Sequence, residues 1–259
     1  MLKASFHIHV RGDKDDYIRY TGFELLDHAK ALGFDVIAFT CHERVVITEA
    51  LKAHAKKLDI LLIPGIELNL GGHVLVLNAS PDAQNLKTTE DLKKYRATHP
   101  EIFTIAAHPF FPERKYCFQE RIYNHLDLFD GIELSWFYSQ WIDWNKKAKQ
   151  LSEKEMLPYI ATSDVHRLDM LDNGHVLIDA NKNVESIFQA LKENKFKSIA
   201  KPQGVIEMWW RFAKMQWSLF ERYFPWTPPH LIFEHENLPA THQGKSRRGT
   251  KKNRLSGRN

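Results

Sequence analysis

The sequence predicts an α/β fold in which a sheet is curled into a barrel and surrounded by helices. Short apolar, strand-like runs alternate with helix-like segments through about the first 200 residues. Alternating units of this kind favour a parallel sheet, and their number favours a barrel over an open sheet. Histidines and carboxylates stand at or just after the ends of five strand-like runs, which are residues 4–10, 36–40, 60–66, 103–107 and 159–162.

The first predicted strand, residues 4–10, is followed by a helix that begins with a capping-box sequence. Thr21 precedes Glu24 by three residues, and apolar residues then recur at helical spacing as far as Leu32. Gly33 ends this helix. The nearly all-apolar run 34–40 is typical of a strand buried on both faces.

The remaining elements continue the alternation. Further strands are predicted at residues 60–66, 73–77, 103–108, 131–135, 159–162 and 175–178. Further helices are predicted at about residues 48–58, 89–99, 142–153 and 184–193. The barrel domain is therefore expected to occupy residues 1–203.

The composition favours one large domain, or one domain with a small appendage. The chain has 259 residues, of which 43% are hydrophobic, so a sizeable core can form. No apolar run reaches the roughly 18–20 residues of a membrane helix, and the N-terminal residues do not have a signal-peptide pattern. Only Cys41 and Cys117 are cysteines, so we expect two free thiols and a cytoplasmic protein.

The C-terminal residues differ from the barrel in composition. Residues 204–237 predict an aromatic helical extension, and residues 238–259 predict a disordered basic tail. One helical face of the extension carries Met208, Phe212, Met215, Leu219 and Tyr223, and the flanking tryptophans are Trp209, Trp210 and Trp217. We expect this face to pack on the barrel; a dimer interface and a membrane-surface helix are the alternatives.

The net charge of +4 comes from the tail. Seven basic residues lie in the last fifteen: Lys245, Arg247, Arg248, Lys251, Lys252, Arg254 and Arg258. The rest of the chain has 29 basic and 32 acidic residues, so it is mildly acidic. The tail is interpreted either as a solvated end or as a non-specific contact for nucleic acid.

Two motifs place pairs of metal-ligating side chains on one face of a strand. Because residues i and i+2 of a strand point the same way, His7 and His9 share a face. Asp164 and His166 repeat this spacing. Imidazoles and carboxylates gathered on one rim of a barrel are the groups that a multi-metal site needs.

These motifs, taken in chain order, resemble those of the PHP (polymerase and histidinol phosphatase) domain family of metal-dependent phosphoesterases. The matching segments are Phe6-His7-Ile8-His9, Phe39-Thr40-Cys41-His42, Pro64-Gly65-Ile66-Glu67 with Gly72-His73, Ala107-His108-Pro109 and Ser163-Asp164-Val165-His166. The resemblance covers about residues 1–180. It implies a distorted (β/α)7 TIM-like barrel.

The resemblance also implies a ligand set for two or three divalent metal ions. The residues implied for the first metal are His7, His9, Glu67 and Asp164. The second metal shares Glu67, and its other implied ligands are His73 and His108. The third is implied to bind His42, His166 and an acid from the loop after the first strand.

The chain departs from the family pattern at two places in this set. Cys41 replaces the aspartate of a Thr-Asp-His motif, which puts the orientation of a neighbouring ligand in doubt. The loop acid is ambiguous, because the run after the first strand contains Asp13, Asp15 and Asp16. We predict Asp13, which lies nearest to the His-x-His motif.

The implied activity is hydrolysis of a phosphate ester, either a monoester or a diester. The basic tail favours nucleotides or nucleic-acid ends as the substrate. Mixed nitrogen and oxygen ligands suit Mn, Zn or Fe(II). Two such ions about 3.5–4 Å apart activate a water, and the resulting hydroxide attacks phosphorus. The predicted catalytic residues are Glu67, Asp164 and His166, and the predicted phosphate-binding residues are Arg11, Arg44 and Arg167.

Two alternatives remain open at this point. One is an amidohydrolase-type metal enzyme; such sites commonly carry a metal-bridging lysine, and here no lysine ends a strand beside the ligands. The other is a non-catalytic barrel that binds nucleic acid or protein. Glu133 is expected to act as a buried partner inside the barrel rather than as a ligand, and the sequence leaves the oligomeric state open.

Overall fold

The computed structural model describes residues 1–221, apart from the side chains of Phe212, Met215, Gln216 and residues 218–221. The predicted basic tail and the later part of the aromatic extension lie outside the described residues. The strands are β1 Leu2–Ser5, β2 Val36–Phe39, β3 Leu61–Asn69, β4 His73–Leu77, β5 Phe103–Ala106, β6 Gly131–Ser135, β7 Tyr159–Thr162, β8 Gly174–Ile178 and β9 Phe196–Ala200. The α-helices are α1 Gly22–Ala31, α2 Glu49–Lys57, α3 Thr89–Thr98, α4 Asn145–Glu155, α5 Val184–Lys192 and α6 Val205–Glu221.

The strands form one curled sheet, which confirms the predicted α/β barrel. In this part of the chain the sheet has nine strands, in the order β7-β6-β5-β4-β3-β2-β1-β8-β9. Its two edges meet through Ser198 on β9, whose Oγ accepts from the Ala161 amide at 2.8 Å and donates to the Tyr159 carbonyl at 2.6 Å. These contacts leave the barrel nearly closed.

The sheet is mixed, so a uniformly parallel arrangement is the wrong part of the prediction. Strands β1 to β3 and β5 to β7 run parallel within each group. Strand β4 is antiparallel to both of its neighbours, and β8 is antiparallel to β1 and β9. Only three residues join Asn69 to His73, a connection too short for the crossover that parallel strands require.

The predicted capping box at the start of α1 is confirmed. The Thr21 side chain accepts a hydrogen bond from the Glu24 amide, and the Glu24 carboxylate accepts one from the Thr21 amide at 2.7 Å. These bonds satisfy two of the amide groups that a helix leaves unpaired at its N-terminus. The loop after β1 therefore ends at a defined residue, where α1 begins.

The first strand is shorter than predicted, and this positions the His-x-His motif. Strand β1 ends at Ser5, after which Ile8 forms an isolated parallel bridge with Val165. The His9 amide donates to the Val165 carbonyl, and the Val165 amide donates to the His7 carbonyl, both at 3.1 Å. The two ligand motifs therefore lie side by side at the rim of the barrel.

Helix α6 docks on the barrel through its described side chains, as the sequence predicts for Met208. That side chain is fully buried in the cluster that also contains Trp136 and Phe137. On the next turn, Arg211 Nη1 donates to Asn173 Oδ1 at 3.2 Å. The other members of the predicted apolar face lie outside the described side chains. Within residues 1–221, none of the helices has the length and apolarity needed to span a bilayer.

Candidate metal centre

Eight of the predicted ligands converge at one end of the barrel. They are His7, His9, His42, Glu67, His73, His108, Asp164 and His166, and their imidazole rings stack or meet at their edges. The loop after β1 brings Asp13 and Asp16 to the same place. Strand geometry explains this, because each residue lies at or just beyond a strand end on the same rim.

The carboxylate of Glu67 lies at the centre of the cluster and is 1% exposed. Its Oε2 faces three imidazole nitrogens, which are His7 Nε2 at 3.2 Å, His9 Nε2 at 3.3 Å and His42 Nε2 at 3.1 Å. Its Oε1 faces His73 Nδ1 at 2.6 Å and His108 Nε2 at 3.5 Å. The two oxygens therefore serve two different groups of imidazoles, which is the arrangement of a bridging carboxylate.

Asp164 closes the other side of the cluster. Its Oδ1 lies 3.3 Å from both His7 Nε2 and His9 Nε2, and 3.4 Å from His166 Nδ1. Asp164 and His108 both adopt positive φ angles, of 45° and 27°. Non-glycine residues rarely adopt this conformation, and such strain concentrates at functional sites.

Three imidazoles are oriented by hydrogen bonds behind the cluster. His7 Nδ1 lies 2.7 Å from Glu133 Oε1, and His9 Nδ1 lies 2.7 Å from Asp13 Oδ2. His108 Nδ1 lies 3.4 Å from the Cys117 thiol. When Nδ1 carries the proton in such a bond, Nε2 presents its lone pair to the centre, as metal-ligating histidines do.

Glu133 acts as the predicted buried partner. It lies on β6 and is 0% exposed. Besides His7, its carboxylate accepts hydrogen bonds from the His108 amide and the Thr162 hydroxyl. One buried carboxylate thus fixes two ligand-bearing segments relative to each other.

The two loop acids, Asp13 and Asp16, have different hydrogen-bond partners. Asp13, the predicted ligand, is 1% exposed, and its carboxylate accepts from the His42 amide at 2.8 Å and from the amides of Asp15 and Asp16 at 2.9 Å. Asp16 Oδ2 instead lies 2.7 Å from His166 Nε2 and 3.4 Å from His42 Nδ1. Both loop acids therefore contact the His42 ring, whose Nδ1 also lies 3.2 Å from Asp13 Oδ1. The contact of Asp16 with His166 gave no signal in the sequence, because spacing along one loop does not reveal where each acid points.

The three predicted phosphate-binding arginines lie in different surroundings. The Arg11 guanidinium donates to the Arg19 carbonyl, and Arg44 is half-buried two residues after His42. Arg167 borders a cavity of about 890 Å³ beside His166, and its Nε donates to Asp169 Oδ1 at 3.1 Å. Of the three predicted arginines, Arg167 is therefore the one that lines this cavity.

Cys41, which replaces the family's aspartate, supports the backbone. Its thiol is fully buried and accepts a hydrogen bond from the Val10 amide at 3.4 Å. Asp13 contacts both His9 and His42 from the adjacent loop. The carboxylate that orients the histidines in this region is thus supplied by Asp13.

The imidazoles and carboxylates of the cluster shift one another's pKa values. Burial disfavours the charged form of His42, but Glu67 and Asp13 outweigh this effect and raise its pKa to about 10. Burial likewise opposes protonation of His166, while Asp164 and Asp16 raise its pKa to about 9. Burial of the Glu67 carboxyl favours its neutral form, but the surrounding imidazoles hold its pKa well below the usual value.

The donor atoms fit divalent cations. Five of them are buried and make no well-aligned hydrogen bond: His7 Nε2, His9 Nε2, both oxygens of Glu67, and His73 Nδ1. They belong to groups whose ligand atoms all lie within 4.8 Å of one another. Unpaired buried polar atoms are costly, and cations bound by nitrogen and oxygen would satisfy them together.

Comparison with known proteins supports the same fold. Residues 143–196 match the family model described as PHP-associated. A two-domain protein from Bacteroides vulgatus that contains a predicted PHP-like metal-dependent phosphoesterase has a TM-score of 0.62 at 19% identity, over 83% of this chain and 69% of that one. PsfC from Pseudomonas syringae has a TM-score of 0.55 at 15% identity, over 83% and 98%.

A third similar structure is the lesion-specific endonuclease PfuEndoQ from Pyrococcus furiosus. Its TM-score is 0.52 at 15% identity, and the match covers 74% of this chain and 56% of that one. No curated protein sequence matches the chain. The predicted resemblance to the PHP family is confirmed by the barrel and by the PHP-associated segment, and the cluster has the side chains of a metal-dependent hydrolase.

Proposed function

We propose that the protein is a metal-dependent hydrolase of phosphate esters. The observation that carries this proposal is the central position of Glu67, whose two oxygens each face a different set of imidazoles. A carboxylate of this kind is suited to bridging two cations. The PHP-like fold supports the same interpretation.

The cluster offers ligands for two or three ions of Mn, Zn or Fe(II). The first ion would be held by His7, His9, Glu67 and Asp164, and the second by Glu67, His73 and His108. The third would be held by His42, His166 and a loop acid. Asp16 is the better loop acid, because the Asp13 carboxylate is occupied by hydrogen bonds from His9 and three backbone amides.

When bound, such cations supply Lewis acidity, which activates a water and stabilises negative charge on a phosphate. Glu67 and Asp164 lie between the imidazoles and would supply the carboxylate oxygens that hold the cations. His166 borders both the cluster and the cavity, so as a ligand of the third ion it would place that ion beside a substrate bound in the cavity. Arg167 is placed beside it to bind a phosphate oxygen.

The type of ester, the contact with nucleic acid and the location in the cell remain predictions. Two similar structures are described as containing a predicted phosphoesterase and as a lesion-specific endonuclease, which supports both monoesters and diesters as substrates to be tested. Contact of the basic tail with nucleic acid concerns residues outside those described. A cytoplasmic location is supported by Cys41 and Cys117, which are both buried free thiols.

The decisive experiment measures metal content and ester hydrolysis together. Purified protein and Glu67→Gln are analysed by mass spectrometry for Mn, Fe and Zn, and tested on p-nitrophenyl phosphate and bis-p-nitrophenyl phosphate. We expect two or three equivalents in the wild type, a sharp loss in the variant, and turnover reduced by about 100-fold or more. Glu153→Gln, at an exposed position on α4, is the matched control.

The other outcomes distinguish the alternatives. A protein that binds no metal after reconstitution would favour the non-catalytic binding barrel. A protein that binds metal and hydrolyses amides in preference to phosphate esters would favour an amidohydrolase-type enzyme. Phosphate-ester turnover that survives Glu67→Gln would contradict the proposed mechanism.

A further inference from the structure

A large cavity adjoins the cluster of histidines and carboxylates. Its volume of about 890 Å³ is within the range of small-molecule sites, and His166 forms part of its wall. Its wall is formed by the loop after β1, the first turn of α1, the loop after β7 and helix α6. A molecule bound in this cavity therefore reaches the metal cluster at the His166 end.

Helix α6 presents an aromatic face to the cavity. The face consists of Trp210, Ala213, Lys214 and Trp217, at the i, i+3, i+4 and i+7 spacing of one helical stripe. The indoles of Trp210 and Trp217 are 61% and 58% exposed. Ala213 lies between them in this stripe and also lines the cavity.

This exposure does not result from a poorly packed helix. Met208 is fully buried in the core, and Arg211 is bonded to Asn173. The Trp209 ring also packs edge-on against Phe137, with 6.2 Å between the ring centroids. The helix is therefore anchored by other side chains, while the two indoles line the cavity.

Basic side chains stand beside the indoles. Lys214 Nζ lies 5.1 Å from the centroid of the Trp210 ring, and Arg19 and Arg167 also line the cavity. The two acids of the wall already accept hydrogen bonds: Glu24 from Thr21, and Asp169 from Arg167. These carboxylates keep their charge, but the wall carries three cationic side chains against two acids, so the cavity combines aromatic faces with a net positive charge. This combination suits an anionic ligand that carries a flat ring.

We propose that this cavity, closed by α6, is a subsite for the nucleobase of a nucleotide substrate whose phosphate lies at the His166 end. Indole faces stack on any base, and the adjacent cations bind phosphate oxygens. The inference rests on the proposed phosphoesterase function. The shared chemistry is a base joined to a phosphate, supplied either by a free mononucleotide or by the end of a strand.

The kinetic test compares substrates with and without a base. The ratio of kcat/KM for AMP to kcat/KM for glycerol 1-phosphate is measured for the wild type, Trp210→Ala and Trp217→Ala. We expect the wild type to prefer AMP and the ratio to fall about tenfold or more in each variant. Trp210→Phe should retain most of the preference, and Trp141→Ala, an 85% exposed tryptophan outside the cavity wall, should leave the ratio unchanged.

A binding measurement separates the subsite from the chemistry. Calorimetric titration of Glu67→Gln with AMP measures affinity without turnover, and adding Trp210→Ala should weaken it about tenfold or more. If no ester is hydrolysed but this loss is seen, the proposed function fails and the subsite stands. If esters are hydrolysed with no preference for AMP, or if the Trp210 and Trp217 variants leave the ratio unchanged, the subsite is overturned while the function stands.

A third assay distinguishes a free mononucleotide from the end of a strand as the ligand. A 5′-phosphorylated tetraadenylate is assayed beside AMP with the same variants. Preference for the oligonucleotide, lost in Trp210→Ala, supports a strand end as the ligand; preference for AMP supports a free nucleotide. If glycerol 1-phosphate is preferred over both, the subsite is contradicted.

Discussion

The Nδ1 atom of His7 lies 2.7 Å from Oε1 of Glu133, and both side chains are completely buried. The bond directs His7 Nε2 towards Glu67 and Asp164, at 3.2 and 3.3 Å. The Glu133 carboxylate also accepts from the His108 amide. A residue without a predicted ligand role therefore controls the direction of two predicted ligands.

Replacing Glu133 tests this control directly. In Glu133→Gln the amide cannot accept from both His7 and the His108 backbone as the carboxylate does, so one ligand loses its orientation. We expect metal affinity to fall about 10- to 100-fold, measured by titration with Mn²⁺ or Zn²⁺. Glu153→Gln serves as the surface control, and equal affinities in the two variants would exclude a positioning role for Glu133.

Cys117 provides a second, weaker test of ligand orientation. Its buried thiol lies 3.4 Å from His108 Nδ1, and the contact directs Nε2 towards Glu67. Cys117→Ala removes the partner, so we expect roughly tenfold weaker metal binding, while Cys117→Ser keeps a hydroxyl and should lose less. The same loss in both variants would indicate a packing effect instead.

Metal binding should release protons and strengthen as the pH rises. In the metal-free cluster, nearby carboxylates raise the pKa of His42 to about 10 and that of His166 to about 9, so both imidazoles are protonated at neutral pH. Ligation requires the neutral imidazole, so a cation must displace these protons. Affinity should therefore increase between pH 6 and 9.

Calorimetry in two buffers of different ionisation enthalpy counts the protons released at pH 7. His42→Ala should reduce that count. A count of zero in the wild type would show that the imidazoles are already neutral before the metal binds.

Away from the metal centre, Asp130 should contribute to acid stability. Its carboxylate accepts from Arg96 Nη1 at 2.7 Å and from the Thr104 amide at 2.9 Å. Burial alone would raise its pKa, but Arg96 outweighs this and holds the pKa below its usual value. The stabilisation is thus complete above the unfolded pKa of about 4 and is lost as the pH falls through the lower folded pKa.

Urea unfolding of the wild type and Asp130→Asn at several pH values tests this linkage. At pH 7 we expect the variant to lose roughly 2 kcal/mol in the free energy of unfolding. The difference should shrink as the pH falls below about 4. A difference that stays constant down to pH 3 would show that the charge of Asp130 is not responsible.

The sequence predicted the convergence of these histidines and carboxylates because its signals are local. The i, i+2 spacing of His7 with His9 and of Asp164 with His166 places each pair on one side of an extended segment. The ends of neighbouring strands then bring Glu67 to the same rim. The contact of Asp16 with His166 could not be predicted, because it depends on how the loop turns above that ring.

The sequence by itself determined the α/β alternation, the capping of α1 and the identity of the histidine and carboxylate cluster. These features depend on periodicity and on residues near strand ends. Only the tertiary structure decided the antiparallel placement of β4, the contact of Asp16 with His166 and the meeting of Trp210 with Arg19 and His166 around one cavity. Each of these joins segments that are distant in sequence or turned by a loop, and such contacts depend on packing in three dimensions.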